Sequence, residues 1–406
     1  MSWSRVVITG AGAVTALGVG KDALFDGLRE GRSAFSFRSF HHERLPELPP
    51  LYGAFIGEFQ VSDFLGRKGI RSLSRESRIF MCAAVMACAE AGLTPQVWER
   101  PSVGVFGASV LSGYEDYLRL FTDGLLDGVD RINPAQGPQT GFNAPTSQLA
   151  IHLGAEGPNI TLTNGGTSSL DAVAYAADYL RDNRAKVIFA GGVETLSYFS
   201  AREFISGGAA ETAQPPRPFD MGRNVSVLGE AGAVFVLENA GEVRARGGRV
   251  QAEVLGYGRA FEPPSSLHAL ERASRRAILE ALREADLEPH AVEAVYASAA
   301  GEREADAAEA ASLFEVFGGR TPVYCVKGAV GECLGAAGAL QIAAALLGLT
   351  QNLIPRTLGF HTHDPASPAL RVTTEPLRLT PRRVLVHALD VGGSATALIL
   401  AAPEPL

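Results

Sequence analysis

One pattern, which occurs twice along the chain, constrains the fold more than any other feature. A short strand runs through a glycine-rich elbow into a helix of small residues, first at residues 157–163 and 170–182. The second copy has a strand at 323–326, an elbow at 328–331 and a helix at 334–347. A helix that is apolar on every face must be buried on every face. The pattern therefore predicts central helices that are enclosed between sheets.

Because the same unit occurs twice, we predict an α/β fold of two similar halves with layered sheets. We expect the first half to span residues 1–250 and the second half to span residues 251–406. Hydrophobic residues make up 46% of the 406 residues and charged residues 20%, which is enough apolar material for a large shared core. The elbow of the first half is degenerate, because it has a glycine without a side chain at position 166.

The charge balance and the N-terminus exclude several classes of partner. The net charge of −8 argues against the clustered Lys and Arg of a nucleic-acid-binding surface, so we predict no nucleic-acid partner. We expect no uncharged run long enough to span a bilayer and therefore no membrane partner. Since the first residues lead straight into a predicted strand rather than a secretion signal, we predict a cytoplasmic protein.

The spacing of the polar side chains predicts neither a metal nor a cofactor. The four cysteines form no CxxC pair, and no two histidines have metal-ligand spacing on a predicted helix. Gly10-Ala11-Gly12 follows the strand at residues 5–9 and begins like a dinucleotide-binding motif. Thr15 stands at the third glycine position, so we interpret the segment as a tight turn between a strand and a helix. We likewise expect Gly191-Gly192 to form a turn after a strand at residues 186–190.

A set of motifs, each weak alone, gives the chain a family resemblance when taken in order. They are Val7-Ile8-Thr9-Gly10, Gly157-Pro158, Ser168-Ser169-Leu170-Asp171-Ala172, Gly191-Gly192-Val193-Glu194, Arg217-Pro218-Phe219-Asp220, Gly229-Glu230, Lys327, Gly335-Ala336-Ala337-Gly338 and Gly392-Gly393. In this order and spacing the chain resembles the β-ketoacyl synthases of fatty-acid and polyketide assembly over nearly its whole length. The resemblance implies the thiolase fold, with its two similar halves in a layered α-β-α-β-α arrangement.

The resemblance also implies three catalytic groups, and this chain has none of them. Gly166 stands where the family has its cysteine nucleophile, while Ser298 and Glu332 stand where it has two histidines. Val391 replaces the phenylalanine that gates the pocket in active members. Loss of such a nucleophile lowers the rate by roughly four to six orders of magnitude. We therefore predict no catalytic residue in this chain.

Three charged neighbours of the family site are retained. Lys327 is present, and Asp306 and Glu309 lie three residues apart on one predicted helix face. In active members the matching charges help to organise the site. Here we interpret them as the remnant of an ion pair with a structural role.

The leading functional hypothesis is that the chain is a chain length factor, the ketosynthase β subunit of type II polyketide synthases. The resemblance implies pairing with an active ketosynthase subunit as a heterodimer and contact with acyl carrier protein through that complex. Tyr114, Tyr117, Leu118 and Phe121 have the spacing of one helix face and are our candidates for a tunnel wall. Factors of aromatic pathways usually carry glutamine at the position of Gly166, so the glycine favours a polyene or other reducing pathway.

Two alternatives remain open at the level of the sequence. The chain could be an atypical condensing or acyl-transfer enzyme whose nucleophile is Cys333 or Ser168. It could also be a thiolase-fold scaffold that binds no acyl ligand. Cys333 opens a buried helix of small residues, and Ser168 stands where a helix cap is expected, so a structural role is the simpler interpretation of each.

Overall fold

The computed structural model describes residues 4–94, 99–208 and 213–403. The strands are β1 (Val6–Thr15), β2 (Gly18–Val19), β3 (Phe35–Arg38), β4 (Leu51–Ala54), β5 (Val103–Ala108), β6 (Asn159–Leu162), β7 (Val187–Glu194), β8 (Ala231–Asn239), β9 (Ala252–Phe261), β10 (Ala294–Tyr296), β11 (Pro322–Tyr324), β12 (Leu353–Ile354), β13 (Arg371–Val372), β14 (Leu377–Arg378), β15 (Arg383–Leu389) and β16 (Ser394–Ala401).

The helices lie between and around these strands. They are α1 (Lys21–Glu30), α2 (Ser62–Leu65), α3 (Arg75–Glu90), α4 (Tyr114–Asp127), α5 (Ala144–Leu153), α6 (Ser168–Arg181), α7 (Tyr198–Ser206), α8 (Ala240–Ala245), α9 (Leu267–Glu284), α10 (Arg303–Phe317), α11 (Lys327–Val330) and α12 (Ala337–Gln351).

The large sheet contains the same five-stranded unit twice. In the first unit the order is β6-β5-β7-β8-β1, and in the second it is β11-β10-β15-β16-β9. In each unit the first two pairings are parallel and the next two are antiparallel. A short antiparallel pairing between β1 and β9 joins the units. The predicted fold of two similar halves is confirmed.

The helices form the layers that the elbow pattern predicts. The two central helices, α6 and α12, belong to the largest apolar cluster, together with residues from the strands of both units. On the outer face of the first unit, α3 and α5 pack in a second cluster. On the outer face of the second unit, α9 and α10 pack in a third. The resulting order of layers is α-β-α-β-α.

Helix α12 and the turn before it form a long uncharged segment. The segment Leu334–Gln351 has the length and hydropathy of a membrane span, but 83% of it is buried inside the protein. The expectation that no uncharged run reaches this length was wrong. Packing between two apolar sheet faces explains the composition, because every side of this helix meets protein.

Two predicted glycine turns lie inside strands instead. Gly10 and Gly12 belong to β1, where a Cβ atom on either would lie 2.0 Å from a backbone oxygen of α3. Gly191 and Gly192 belong to β7, where the nearest backbone oxygens would lie at 2.0 and 2.5 Å. These glycines therefore allow neighbouring backbone to approach closely, and the predictions of turns at both places were wrong.

Candidate functional site

The first elbow leads from β6 into α6 through a single 3-10 turn, Gly165–Thr167. Gly165 has a φ of 68°, a conformation that favours glycine. The backbone N–H of Gly166 donates to Oδ2 of Asp390 at 2.8 Å. A Cβ atom on Gly166 would lie 3.5 Å from the same oxygen, which is an ordinary contact. The position at which the family has its nucleophile thus has room for a side chain, but this chain has a glycine there. Its backbone N–H group is already hydrogen-bonded to the carboxylate of Asp390.

Asp390 lines the cavity but was not among the site residues that the motifs identified. It lies in the loop between β15 and β16, where its Oδ1 accepts from the N–H of Gly392 at 2.7 Å. The next residue, Val391, is 53% exposed. The available signal was an acidic residue directly before the gate position. Only the fold, which brings residues 224 positions apart together, reveals its partner Gly166.

The second elbow differs from the prediction because its first part is a helical turn. Residues Lys327–Val330 form α11, and positive φ values of 76° and 42° follow at Gly331 and Leu334. Glu332 lies between them, and its Oε1 accepts from the N–H of Leu334 at 2.9 Å. The side chain that replaces the second histidine therefore binds backbone at the start of the next helix.

Lys327 forms its ion pair with Glu332. Its Nζ atom lies 2.6 Å from Oε2 of Glu332 and donates to Oγ of Ser298 at 3.2 Å. Burial lowers the pKa of Lys327, but Glu332, with smaller contributions from Glu309 and Asp306, raises it above the ordinary value of a lysine. The ion pair of Lys327 is therefore made with Glu332, from the elbow itself, and not by a direct contact with Asp306 or Glu309.

Glu309 instead belongs to a buried network on the other side of Ser298. Its Oε1 accepts from the N–H of Ser298 at 2.7 Å and lies 2.5 Å from Nδ1 of His387. Nε2 of His387 lies 3.0 Å from Oγ of Ser274. The side chains of Glu309 and His387 are fully buried. His387 lies within β15, and nothing in its local sequence pattern identified Glu309 as its partner.

Asp306 has a backbone-positioning role. Its carboxylate accepts from the N–H groups of Phe219, Ala300 and Gly301 at 2.9, 3.1 and 3.1 Å. Burial raises the pKa of Asp306 to about 7, with a smaller contribution from Glu309. Phe219 has a positive φ of 58°, which the hydrogen bond helps to hold. Asp306 thus holds, through these hydrogen bonds, the backbone of residues 300 and 301, which follow Ser298 in the same loop.

The three positions of the missing catalytic groups meet in one cavity. Gly166, Ser298 and Glu332 line a space of about 250 Å³, together with Lys327 and the gate residue Val391. The fold therefore brings the three positions together around one space. At the positions where the resemblance implies a thiol and two imidazoles, the cavity has a glycine, a serine and a glutamate.

The candidate tunnel-wall residues lie on α4, outside the lining of this cavity. Tyr114 and Leu118 are partly buried in an apolar cluster that includes Phe204 and Leu228, and these last two side chains line the cavity. Tyr117 and Phe121 are instead 53% and 52% exposed and stack on one another. The helix is present as predicted, but its bulky side chains divide between an inner and an outer face.

Neither of the alternative nucleophiles is accessible. Cys333 is fully buried, and burial, followed by Glu332, raises the pKa of its thiol well above the ordinary value. Ser168 is also fully buried, and its hydroxyl donates to the carbonyl of Gly165 at 2.7 Å. Both side chains bond to the backbone of their own elbow, with Sγ of Cys333 3.6 Å from the carbonyl oxygen of Val330. These contacts favour structural roles.

Within the described ranges, no group of three or more His, Cys, Asp or Glu side chains could hold a metal ion. The four cysteines are buried and free. Gly10-Ala11-Gly12 lies inside β1, which runs on to Thr15, so no dinucleotide-binding turn forms there.

Comparison with known proteins gives consistent matches along the chain. Residues 4–242 match the family model of the β-ketoacyl synthase N-terminal domain, and residues 251–361 match that of the C-terminal domain. The chain is 31% identical to the tetracenomycin polyketide synthase ketoacyl synthase α subunit of Streptomyces glaucescens, over 98% of this chain and 97% of that protein.

Solved structures of similar proteins have the thiolase fold. The ishigamide ketosynthase/chain length factor is 25% identical, with a TM-score of 0.90 over 99% of this chain and 100% of that chain. A β-ketoacyl synthase from Burkholderia phymatum is 27% identical, with a TM-score of 0.87 over the same shares. The predicted thiolase fold is confirmed.

Proposed function

The chain belongs to the β-ketoacyl synthase family, and we propose that it acts there as a non-catalytic chain length factor. It pairs with an active ketosynthase subunit and shapes the tunnel for a growing polyketide or polyene chain held on acyl carrier protein. The observation that carries this proposal is the state of the first elbow. Gly166 has no nucleophile, and Asp390 occupies the amide that would lower the pKa of one.

The charges of the cavity also oppose the condensation reaction. Decarboxylation of a malonyl unit develops negative charge on an enolate oxygen, which needs nearby hydrogen-bond donors or cations. Here Glu302, Glu332 and Asp390 line the cavity, and the ammonium of Lys327 already pairs with Glu332. The carboxylates would repel both the malonyl group and the developing enolate. An inert cavity is what a subunit with no chemistry of its own requires.

A serine and a lysine lie close enough to suggest another enzyme, but their electrostatics disfavour it. Nζ of Lys327 lies 3.2 Å from Oγ of Ser298, a distance at which a neutral lysine could act as a base. The raised pKa of Lys327 keeps the amine protonated, since Glu332 stabilises its charge. A protonated lysine cannot accept the serine proton, so this pair supports a structural role.

The surface of the first half supports pairing with another subunit. On α4, Tyr117, Phe121 and Leu125 recur every four residues and are 53, 52 and 71% exposed. Nearby in the chain, β6 forms an edge of the large sheet and carries no charged side chain. Exposed apolar stripes and unprotected edge strands are typical of surfaces that another protein covers. Both features belong to the half that contains the emptied elbow.

The two faces of α4 then have different parts in the tunnel. Tyr114 and Leu118 pack on the cluster that reaches the cavity through Phe204. Tyr117 and Phe121 point outward, where they can close the partner's tunnel across the interface. Replacing Tyr117 or Phe121 with a smaller residue should alter the length of the product. Replacing Tyr114 or Leu118 should first lower the stability of this chain.

Reconstitution tests the proposal. The purified chain is mixed with acyl carrier protein and a malonyl thioester, with and without a cognate active ketosynthase, and polyketide formation is followed by mass spectrometry. We expect no product from the chain alone and product when the partner is present. Product from the chain alone would support the atypical enzyme. No effect on any ketosynthase would support the scaffold.

The tunnel assignment is tested in the same assay with Tyr117→Ala and Phe121→Ala. We expect longer or mixed products, because the closing aromatic rings are removed. Phe314→Ala is the matched control, since Phe314 is 41% exposed on α10 in the other half. Unchanged products from both α4 variants would contradict the assignment.

A further inference from the structure

One segment of the first half leaves the body of the protein and returns to it at the same place. Residues 114–138 contain α4 and the turns that follow it, and we call them the flap. At its two ends, a Cβ atom on Gly113 would lie 2.6 Å from the carbonyl oxygen of Thr140. The ends of the flap therefore meet at one narrow connection, residues 111–113 and 139–141, which we call the neck.

The flap has few buried contacts with the rest of the protein. None of its residues is buried, although Tyr114 and Leu118 reach partly into the apolar cluster around α7. By contrast α5, which begins just after the neck, buries five of its ten residues. Within the described chain, the backbone hydrogen bonds of the flap are made inside the flap or with the neck. Segments with few buried contacts have low local stability.

An open space lies between the flap and the body at the start of α4. Its volume is about 540 Å³. Charged side chains face it from the flap and from the start of α3, namely Glu115, Asp116 and Arg119 from the first and Arg75, Glu76 and Arg78 from the second. On this side the flap therefore lacks the close packing that stabilises protein interiors.

An exposed ion pair connects the far end of α4 to the body. Nη1 of Arg44, in the segment between β3 and β4, lies 2.5 Å from Oδ2 of Asp127 and 4.0 Å from Oδ1 of Asp123. Among the ion pairs of the described residues, this is the one that joins the flap to the body. All three side chains are exposed, so salt screens the attraction and the contribution to stability is small.

We propose that in the free chain the flap opens as one unit about its neck while the rest of the protein stays folded, and that Arg44 is a clasp that favours the closed position. A separate helix of 14 residues is marginal in water, so α4 loses its hydrogen bonds once the flap leaves the body. Opening therefore makes every amide of α4 exchangeable. This device goes beyond the proposed function and does not depend on pairing with a ketosynthase.

Hydrogen exchange of the purified full chain, resolved by mass spectrometry with electron-transfer fragmentation, tests the flap. We expect the amides of α4 to exchange about a hundredfold or more faster than those of α5, all with one common opening equilibrium. Equal protection of α4 and α5 would overturn the proposal. Exchange that is graded from the ends of α4 towards a protected middle would also overturn it, because the helix would then fray instead of leaving the body.

A matched pair of variants tests the clasp. Arg44→Ala should speed exchange in the flap about twofold to fivefold and leave α5 unchanged. Arg283→Ala is the control, because Arg283 forms a similarly exposed ion pair with Glu280 on α9. A salt concentration of about 1 M should reproduce the effect of Arg44→Ala in the unmodified chain. Unchanged flap exchange in Arg44→Ala would overturn the clasp, and so would equal acceleration by both variants, since the flap would then respond to net charge alone.

Discussion

The two elbows of this protein solve the same structural problem in different ways. In each, backbone N–H groups at the start of a central helix are exposed to a carboxylate. At the first elbow the carboxylate is Asp390, which comes from a distant loop and leaves open space beside Gly166. At the second it is Glu332, which comes from the elbow itself and is locked to Lys327.

The packing around the two elbows also differs, being open at the first and close at the second. A Cβ atom on Gly166 would meet nothing closer than 3.5 Å, whereas one on Gly335 would lie 2.6 Å from the Cα atom of Ser109. The second elbow also binds the first half directly, because the N–H of Gly335 donates to Oε2 of Glu194 at 3.0 Å. The comparison teaches that the second elbow holds the two halves together, whereas the first elbow leaves open space beside Gly166.

The largest expected effect concerns the two carboxylates. Glu332→Gln leaves the buried ammonium of Lys327 without its ion pair, and we expect a loss of about 3 kcal/mol in the free energy of unfolding. Asp390→Asn keeps an oxygen acceptor near the exposed cavity and should cost about 1 kcal/mol or less. Urea-induced unfolding of both variants measures the difference.

A double variant sharpens this result. Lys327→Met combined with Glu332→Gln removes both charges, and the loss of stability should be smaller than the sum of the two single losses. Equal losses for Glu332→Gln and Asp390→Asn would break the contrast between a locked elbow and an open one.

The second effect concerns space. Gly335→Ala forces a methyl group against the backbone of Ser109, so we expect a loss of about 2 kcal/mol in the free energy of unfolding. Gly166→Ala adds a methyl group where there is room and should change stability by about 0.5 kcal/mol or less. Thermal unfolding monitored by circular dichroism compares the two. The contrast fails if Gly166→Ala is the more damaging change.

The third comparison involves the smallest expected change in stability, and it measures the reactivity of a thiol placed at position 166. Gly166→Cys should fold, and the carboxylate of Asp390 should raise the pKa of the new thiol and slow its alkylation. Adding Asp390→Asn should speed the reaction with iodoacetamide about tenfold, because one pKa unit changes the thiolate fraction tenfold. The unmodified chain, whose four cysteines are buried, is the background control. Equal alkylation rates in the two variants would show that Asp390 does not control the pKa of a thiol at position 166.

The fold was accessible from the sequence because its strongest signals are local. The small-residue composition of α6 and α12 indicated enclosed helices, and the repetition indicated two halves. The glycines of β1 and β7 were misinterpreted as turns, since a glycine that admits a neighbouring backbone has the same local pattern as one that turns the chain. Only the packing of α3 against Gly10 and Gly12 distinguishes the two cases.

The site was predictable in its positions but not in its partners. The motifs identified Gly166, Ser298 and Glu332, and these residues do line one cavity. The contacts of Asp390 with Gly166 and of Glu309 with His387 join residues 224 and 78 positions apart, so no local pattern encodes them. The pairing of Lys327 depends on the turn at α11, which the sequence presented as a continuous elbow.

The proposal that this chain is not acylated is tested most directly by intact-mass spectrometry of the reconstituted pair. The co-purified chain and ketosynthase are incubated with acyl-loaded acyl carrier protein, and the mass of each subunit is measured. The account predicts an acyl adduct on the ketosynthase and an unchanged mass for this chain. A stoichiometric acyl adduct on this chain would contradict it.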